Sequence, residues 1–400
     1  MHIDAIVRAL RDLGHEVVVA APPAIERSTF GADAGFVDTL KKIVPASIYE
    51  HLEFTYGILA FWRLWKVYRR ERPDVLYERF NLFFLAGVWL KRITAIPMLL
   101  EVNGLLSDER SRFGGLANKR FAAWVERTTF RAADYVLPVT DVLADLVRNR
   151  GVDPSRIAVI RNGVSPEFLC DAPDGSQIRQ RFGMNERIVM GFTGFVREWH
   201  GLERVIDLVA DHGRKLNLHL LIIGDGPVLG DLKIRAVERR VSDRVSFAGL
   251  VPREQIISYI AAFDIALQPQ VIAYASPLKL FEYMALGRAI LAPATANIRE
   301  VLSEKDALLF EPGNDAAFEL GIKRLSGDPE LRRRLGDAAR AAVMQKGFTW
   351  ASNARRIVSL FQSALESARK RASKIDSTPM GAADQLDPIT EATDKPNRTS

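Results

Sequence analysis

Cysteine is almost missing: Cys170 stands alone in 400 residues, so no intrachain disulfide can form. No Cys/His spacing of a structural zinc site is present, and a reducing cytosolic setting fits both facts. Long hydrophobic runs are missing too. The longest, Leu82 to Leu90, closes on Lys91 and Arg92, well short of the roughly 20 residues that a spanning helix needs. The start, MHIDAIVRALRDLGHE, is charged and periodic, so it lacks the basic head and apolar core of a secretory signal. No helix-turn-helix or zinc-finger signature supports a nucleic-acid partner. No G-x-G-x-x-G lies between an early strand and helix, which argues against a dinucleotide-dependent oxidoreductase.

What is present is ample apolar material, 48% of residues, in a chain too long for one ordinary core. Two domains with additions are expected. The net charge of +6 favours anionic partners: phosphates, acidic lipid surfaces or nucleic acid.

Taken in order, Ile3, Ile6, Val7, Leu10 and Leu13 follow helical spacing to Gly14, and EVVVAAPP follows as a buried-type strand. After a long loop from Ala24 to Ser47, helices and strands alternate. Helix Glu53 to Arg72 leads to DVLYER, helix Asn81 to Arg92 to PMLLEVNG, helix Ala117 to Ala132 to DYVLPVT, and helix Val142 to Asn149 to RIAVIRNG. Short apolar strands alternating with helices predict a parallel sheet covered on both faces. SPEFLCDAPDGS, residues 165–176, reads as a linker. The alternation then restarts through RIVMGFTG, LNLHLLIIGDGP, RVSFAGL, DIALQPQ, AILAPA and ALLFEPG. The expected units are an α/β domain over 1–164, a second over 177–346, a C-terminal helix over 347–376 and a disordered tail over 377–400. Two doubly wound Rossmann-type units place a ligand between them, at the carboxyl ends of the strands.

The stretch YASPLKLFEYMALGRA, from Tyr274, carries the sharpest chemistry. Pro277 can open a helix whose first amides, at Leu278 and Lys279, point outward, and Lys279 and Glu282 share its face. A cation, a carboxylate and free amides suit an anionic ligand with hydroxyls, such as a nucleotide sugar. A solvated Lys-Glu pair on an ordinary helix is the plain alternative. Three further turns follow strands: FTGFVREWHG with Gly194, Arg197 and His200; IIGDGP with Asp225 and Gly226; and FAGLVP with Gly249 and Val251. Singly they are weak, because strand-to-helix turns often carry Gly and Asp for structural reasons.

Together, VIRNGV, the Gly194 turn, GDGP, FAGLV, FEYMALG and LLFEPGN resemble the family-4 glycosyltransferases, retaining and metal-independent enzymes of the GT-B fold. The resemblance runs to about residue 370 and is strongest from Val159 to Pro312. It implies no metal and no cofactor besides a nucleoside diphosphate sugar donor. Glu282 would accept hydrogen bonds from the ribose hydroxyls, the Leu278 and Lys279 amides would bind the diphosphate, and Val251 would lie near the base. The implied reaction is transfer of the sugar to a saccharide or lipid-linked acceptor, in cell-surface polysaccharide or glycolipid synthesis.

Three departures qualify this. Tyr274 stands where the family has the first of two glutamates, so a phenol replaces a charge against the donor sugar. Phe195 and His200 stand where a basic pair is usual; Arg197 is then the expected phosphate ligand, and a titrating His200 would weaken donor binding as pH rises through histidine's range. The family's first strand and Gly-rich turn have no counterpart before the opening helix, which suggests a start placed too late or another segment filling that place.

Acceptor chemistry falls to the first unit, where Glu101, Asn103 and Gly104 end a strand and Glu109 follows. Glu101 is a candidate proton acceptor or acceptor contact, and equally a buried structural carboxylate. The resemblance implies that the donor's own phosphate oxygens take the acceptor proton, so that a dedicated base is not required. On helix Glu53 to Arg72, Phe61, Leu64, Trp65 and Tyr68 fall on one side and Arg63, Lys66 and Arg70 on the other. That pattern suits contact with an anionic membrane surface at the inner face of the cell membrane, or packing of the aromatic side on the sheet. A non-catalytic, nucleotide-binding assembly partner is the alternative to an enzyme, made credible by Tyr274.

Overall fold

The computed structural model describes residues 2–20, 44–113, 116–170 and 174–376. Two parallel sheets carry it. The first comprises β1 (Leu76–Arg79), β2 (Met98–Val102) and β3 (Tyr135–Pro138), paired in that order. The second comprises β4 (Ile188–Thr193), β5 (Leu218–Ile223), β6 (Val245–Gly249), β7 (Ile265–Leu267), β8 (Ala289–Pro293) and β9 (Leu308–Phe310), in the order β6-β5-β4-β7-β8-β9. The strand order reverses between β4 and β7, and a doubly wound sheet opens its ligand crevice at that point.

The second sheet is covered on both faces. Every residue of β5, LHLLII, is buried, and successive side chains go to opposite sides. Leu221 and Ile223 join Phe263, Phe281 and Tyr283 in one core, while Leu220 and Ile222 join Ile206 and Val209 in the other. Each such large side chain contributes about 1.5–3 kcal/mol on burial. In the first sheet, Met98, Leu100 and Val102 face Val125 and Phe130. Leu99 and Leu137 face the opposite way, onto Ile6 and Leu10 of helix His2–Asp12 and onto Trp350 and Ile357. The last helix, Trp350–Asp376, therefore returns to the first sheet.

The chain crosses between the sheets twice, and the two crossings are bonded together. Val164 N–H donates to Phe348 O at 3.0 Å, and Trp350 N–H to Val164 O at 3.2 Å. At Gly163 a Cβ would stand 2.7 Å from the Thr349 carbonyl carbon, so only glycine lets the strands of chain run this close.

Several expectations change. EVVVAAPP forms no strand over its described part: residues 16–20 have no regular structure, and Val18 and Val19 are 43% and 50% exposed. A strand exists by pairing, and no described strand lies beside it. RIAVIRNG follows β3 through a single bridge, Val136 to Ile157, instead of a full strand. The helix expected from Glu53 begins at Ala46, the one expected from Asn81 begins at Ala86 after a left-handed Phe83 (φ 68°), and an extra helix spans Leu106–Phe113. Within the expected linker, Pro166–Phe168 forms a 3-10 turn that buries Phe168 in the second unit's core. Residues 24–43 of the long loop and the 377–400 tail lie outside the described residues.

Helix Ala46–Glu71 presents a different apolar face from the one its aromatics suggest. Phe61, Leu64, Trp65 and Tyr68 are half-buried, with Phe61 set edge-on against Trp89 at 5.9 Å. The exposed side instead carries Ile48, Leu52, Leu59 and Trp62.

Candidate active site

The strand ends of both sheets meet at one cavity of about 330 Å³. From the first sheet come Arg79 at the end of β1, Asn103 after β2 and Val139 after β3. From the second come Gly194 after β4 and Gln268 after β7, the two strands that flank the order reversal. The loop before helix Leu278–Ala285 supplies most of the floor.

Lys279 is the centre of this site. Its side chain enters the cavity beneath Gly194, whose φ of +128° brings the turn within 3.3 Å of Lys279 Cε and Nζ, measured from where a Cβ would stand. The ammonium lies 3.5 Å from the Phe192 ring centroid and makes no hydrogen bond within the protein. Burial holds its pKa well below the usual lysine range, although Glu282 pulls the other way. Pro277 caps the helix without a side-chain bond, and the first amides, Leu278 and Lys279, have no intrahelical acceptor. Pro277 and Leu278 also line the cavity.

His200 lines it too, but as a neutral ring. Burial, then the charges of Lys279 and Arg197, push its pKa down to about 3. Its Nδ1 accepts from the Arg197 backbone N–H at 3.1 Å, which leaves Nε2 as the N–H donor. The expected titration of His200 between pH 6 and 8 is therefore absent from the free protein. Arg197 lies outside the cavity wall, its guanidinium 4.6 Å from the Phe195 centroid and 5.2 Å from that of Trp199. Those two rings line the cavity in its place.

Glu282 sits one turn behind Lys279, in a small neighbouring pocket shared with Arg253 and Leu278. Its Oε1 is 3.5 Å from Arg253 Nη1. Burial raises the Glu282 carboxyl to about 7, against the pull of Arg253 and Lys279.

Other candidates stand off the cavity. Gly224 and Gly226 pack the GDGP turn against the Gly194 turn: a Cβ on either would lie 2.0 Å from Gly194 O or Val196 O. Asp225 O accepts from Val196 N–H at 2.8 Å, and Gly249 O from Gly224 N–H at 2.8 Å. That motif buttresses the Gly194 turn. Val251 packs half-buried on a core.

Tyr274 leaves its own domain and joins the core of the first, where its hydroxyl donates to Glu109 at 2.9 Å and its carbonyl accepts from Thr140 at 3.0 Å. Burial raises the pKa of Glu109, and the Tyr274 bond opposes that rise. Gly104 lies over this pair. Glu101, buried, accepts from Tyr77 at 2.7 Å and from Asn103, one layer behind Arg79 and Asn103 at the cavity wall. Tyr77 is pushed up by burial and by the Glu101 charge.

Residues that motif reasoning did not single out complete the wall. Asn162 Oδ1, Gln268 Oε1 and Ser276 Oγ are buried and, like Lys279 Nζ, make no hydrogen bond within the protein. Asn162 was visible only as part of VIRNGV; its amide donates to Ser276 O at 2.7 Å. Asn297 holds the Ile272 and Ala275 carbonyls at 3.1 and 2.7 Å and so shapes the loop. Buried polar atoms are nearly always paired, by protein or by water, so four orphans around one cavity make it a candidate site for a polar ligand.

Two Rossmann-like sheets whose strand ends face one another across a cleft form the GT-B fold. A family model of the glycosyl transferase 4-like domain matches residues 1–163, and one of glycosyl transferases group 1 matches residues 175–342. The chain belongs to the family-4 glycosyltransferases. Among similar curated proteins, the alpha-D-kanosaminyltransferase of Streptomyces kanamyceticus is 24% identical, over 85% of this chain and 93% of its own. The D-inositol 3-phosphate glycosyltransferase of Corynebacterium efficiens is 26% identical, over 91% and 86%. HepE from Anabaena, solved in complex with UDP-glucose, superposes with a TM-score of 0.65 at 19% identity, covering 83% of this chain and 90% of that one.

Proposed function

We propose that this glycosyltransferase binds a nucleoside diphosphate sugar and transfers the sugar, with retention and without a metal ion, to a saccharide or lipid-linked acceptor of cell-surface glycan synthesis. One observation carries the reading: Lys279 Nζ, buried over the Phe192 ring at a helix N-terminus and without a hydrogen-bond partner, inside a cavity whose wall holds three more orphaned polar atoms. A diphosphate would accept from Lys279 Nζ and the Leu278 and Lys279 amides under the Gly194 turn. His200 Nε2–H would add a neutral donor, and Arg197 a charge at the rim. Glu282, oriented by Arg253, would take the ribose hydroxyls, and the base would lie toward Gly249 and Val251. Lysine and helix amides would then neutralise the leaving diphosphate, the task a metal performs elsewhere.

In the proposed reaction the acceptor hydroxyl approaches on the face from which the diphosphate departs. The anomeric C–O bond to phosphate breaks, the acceptor oxygen bonds to the same carbon, and the acceptor proton passes to a donor phosphate oxygen. Glu101 and Glu109 are already hydrogen-bonded to Tyr77 and Tyr274, which favours roles in positioning for both. UDP in similar solved structures supports a uridine donor as the first to try.

The exposed stripe on helix Ala46–Glu71 favours peripheral contact with a membrane. Ile48, Leu52, Leu59 and Trp62 recur at helical spacing and continue into the exposed Lys66, Arg69 and Arg70. Among the described residues, no helix is long and apolar enough to cross a bilayer. Flotation on anionic vesicles, lost in Leu59→Glu/Trp62→Glu, tests that contact. Thermal shift against UDP-, GDP- and ADP-sugars tests the donor site: a shift of several degrees with one of them, abolished by Lys279→Ala, is expected, and no shift with any would overturn the reading. Transfer that persists in excess EDTA tests metal independence.

A further inference from the structure

We infer that Arg79 forms a second anion subsite, facing the donor site across the cleft, which receives a phosphate group carried by the acceptor. The inference rests on the donor reading above, because that reading commits the opposite wall to the diphosphate. Arg79 ends β1 in register with Glu101 of β2 and lines the cavity with its side chain 45% exposed. Its Nε lies 3.7 Å from Glu101 Oε1, an ion pair beyond hydrogen-bond distance. Glu101 itself is held by the Tyr77 hydroxyl at 2.7 Å and by the Asn103 amide. The carboxylate thus lies nearest the Nε edge of the guanidinium, with the two terminal amino groups farther from it. A planar fork presented in that way matches two phosphate oxygens.

The rest of the wall agrees with an anionic occupant. No carboxylate is among the described residues that line the cavity, whereas cationic or donor side chains enter from both sheets: Arg79 and Asn103 from the first, Lys279 and His200 from the second. The second sheet alone offers a diphosphate the helix amides and the buried ammonium, so Arg79, arriving from the other sheet, answers a separate charge. Asn162 Oδ1, an unpartnered acceptor on the same cavity, suits a hydroxyl of the same acceptor molecule. The group recognised is a phosphate ester, on a soluble sugar or polyol phosphate or on a lipid headgroup.

The test is calorimetric titration of inorganic phosphate and of glycerol 3-phosphate into the full chain saturated with whichever of UDP, GDP or ADP raises its melting temperature. Binding in the presence of nucleotide is expected, with affinity falling at least tenfold in Arg79→Gln and partly restored in Arg79→Lys, while nucleotide affinity stays within twofold. Dihexanoyl phosphatidic acid distinguishes the sources: binding at least tenfold tighter than glycerol 3-phosphate assigns the subsite to a lipid headgroup, and equal binding to a soluble phosphate. Phosphate that competes with the nucleotide, that binds Arg79→Gln as well as it binds the unaltered chain, or that fails to bind at all overturns the inference. If no nucleotide binds, the donor reading fails by itself, and phosphate titrated into the nucleotide-free protein still decides Arg79 by the same loss or persistence in Arg79→Gln.

Discussion

The two walls of the cleft treat their polar groups in opposite ways. On the wall built by the second sheet, Lys279 Nζ, Gln268 Oε1 and Ser276 Oγ are buried and unpaired. On the first unit's side, the polar groups behind the wall mostly bond to one another: Glu101 to Tyr77 and Asn103, Glu109 to Tyr274, and Glu126 to Ser107 and Arg150, while Asn162 Oδ1 at the cavity is unpaired. An unsatisfied buried group costs roughly 1–3 kcal/mol, so the second wall is suited to a polar ligand that pairs these atoms. The first side carries fewer such groups, Asn162 Oδ1 among them. On the proposed reading, donor recognition belongs mainly to the second half and acceptor selection to the first.

The strongest way to break this contrast is to remove the unpaired cation. Lys279→Ala should weaken nucleotide binding by about 10- to 100-fold, the worth of a hydrogen bond to a charged group, with little loss of melting temperature, because Nζ makes no hydrogen bond within the protein and its contact with the Phe192 ring is offset by the cost of burying the amine. Calorimetry with nucleotide checks the first part and a melt without it the second. An equivalent loss at the first wall should do the reverse. Tyr274→Phe leaves half-buried Glu109 without its Tyr274 donor and should cost about 1 kcal/mol of stability while changing nucleotide affinity less than threefold; urea unfolding checks the cost. Gly163→Ala drives a methyl into the paired crossings and should destabilise both halves together by about 1–3 kcal/mol. Two separated transitions in the melt would contradict that.

The smallest effect concerns pH. Glu282, raised to about 7 by burial, is largely protonated below that pH, and a protonated carboxyl has one acceptor oxygen fewer for two ribose hydroxyls. Nucleotide affinity should therefore rise severalfold from pH 6 to 8 and level off, the opposite of the trend a titrating His200 would produce. In Glu282→Gln this part of the pH dependence should vanish.

The same asymmetry decides how much could be read from the residues. All six strands of the second sheet were legible, because runs such as LHLLII are buried on both faces and need no knowledge of their neighbours. Lys279 and Glu282 were legible through a helix start with a proline before it. The first half was harder. VVV in the first loop looks like a strand, but pairing makes a strand, and apolar composition alone does not supply a partner. Asn162, Gln268 and Ser276 sit in connecting loops without periodicity, so nothing local marks them as cavity groups. Tyr274 was seen as a donor-sugar contact; its hydroxyl instead reaches Glu109, far off in sequence, and no spacing rule discloses such a bond. GDGP drew attention as a ligand turn, whereas its glycines are needed where one turn lies directly on another.

The paired crossings at Val164 and Thr349 have a mechanical meaning. Two cords of main chain, side by side and cross-bonded by Val164, Phe348 and Trp350, act as a two-pin hinge. A single cord would let one half swivel about any direction; two tied cords resist twisting about their own length and leave bending about the line that joins them as the easier motion. Each time the jaws part to exchange product for substrate, Arg79 and Lys279 would thus return to the same alignment.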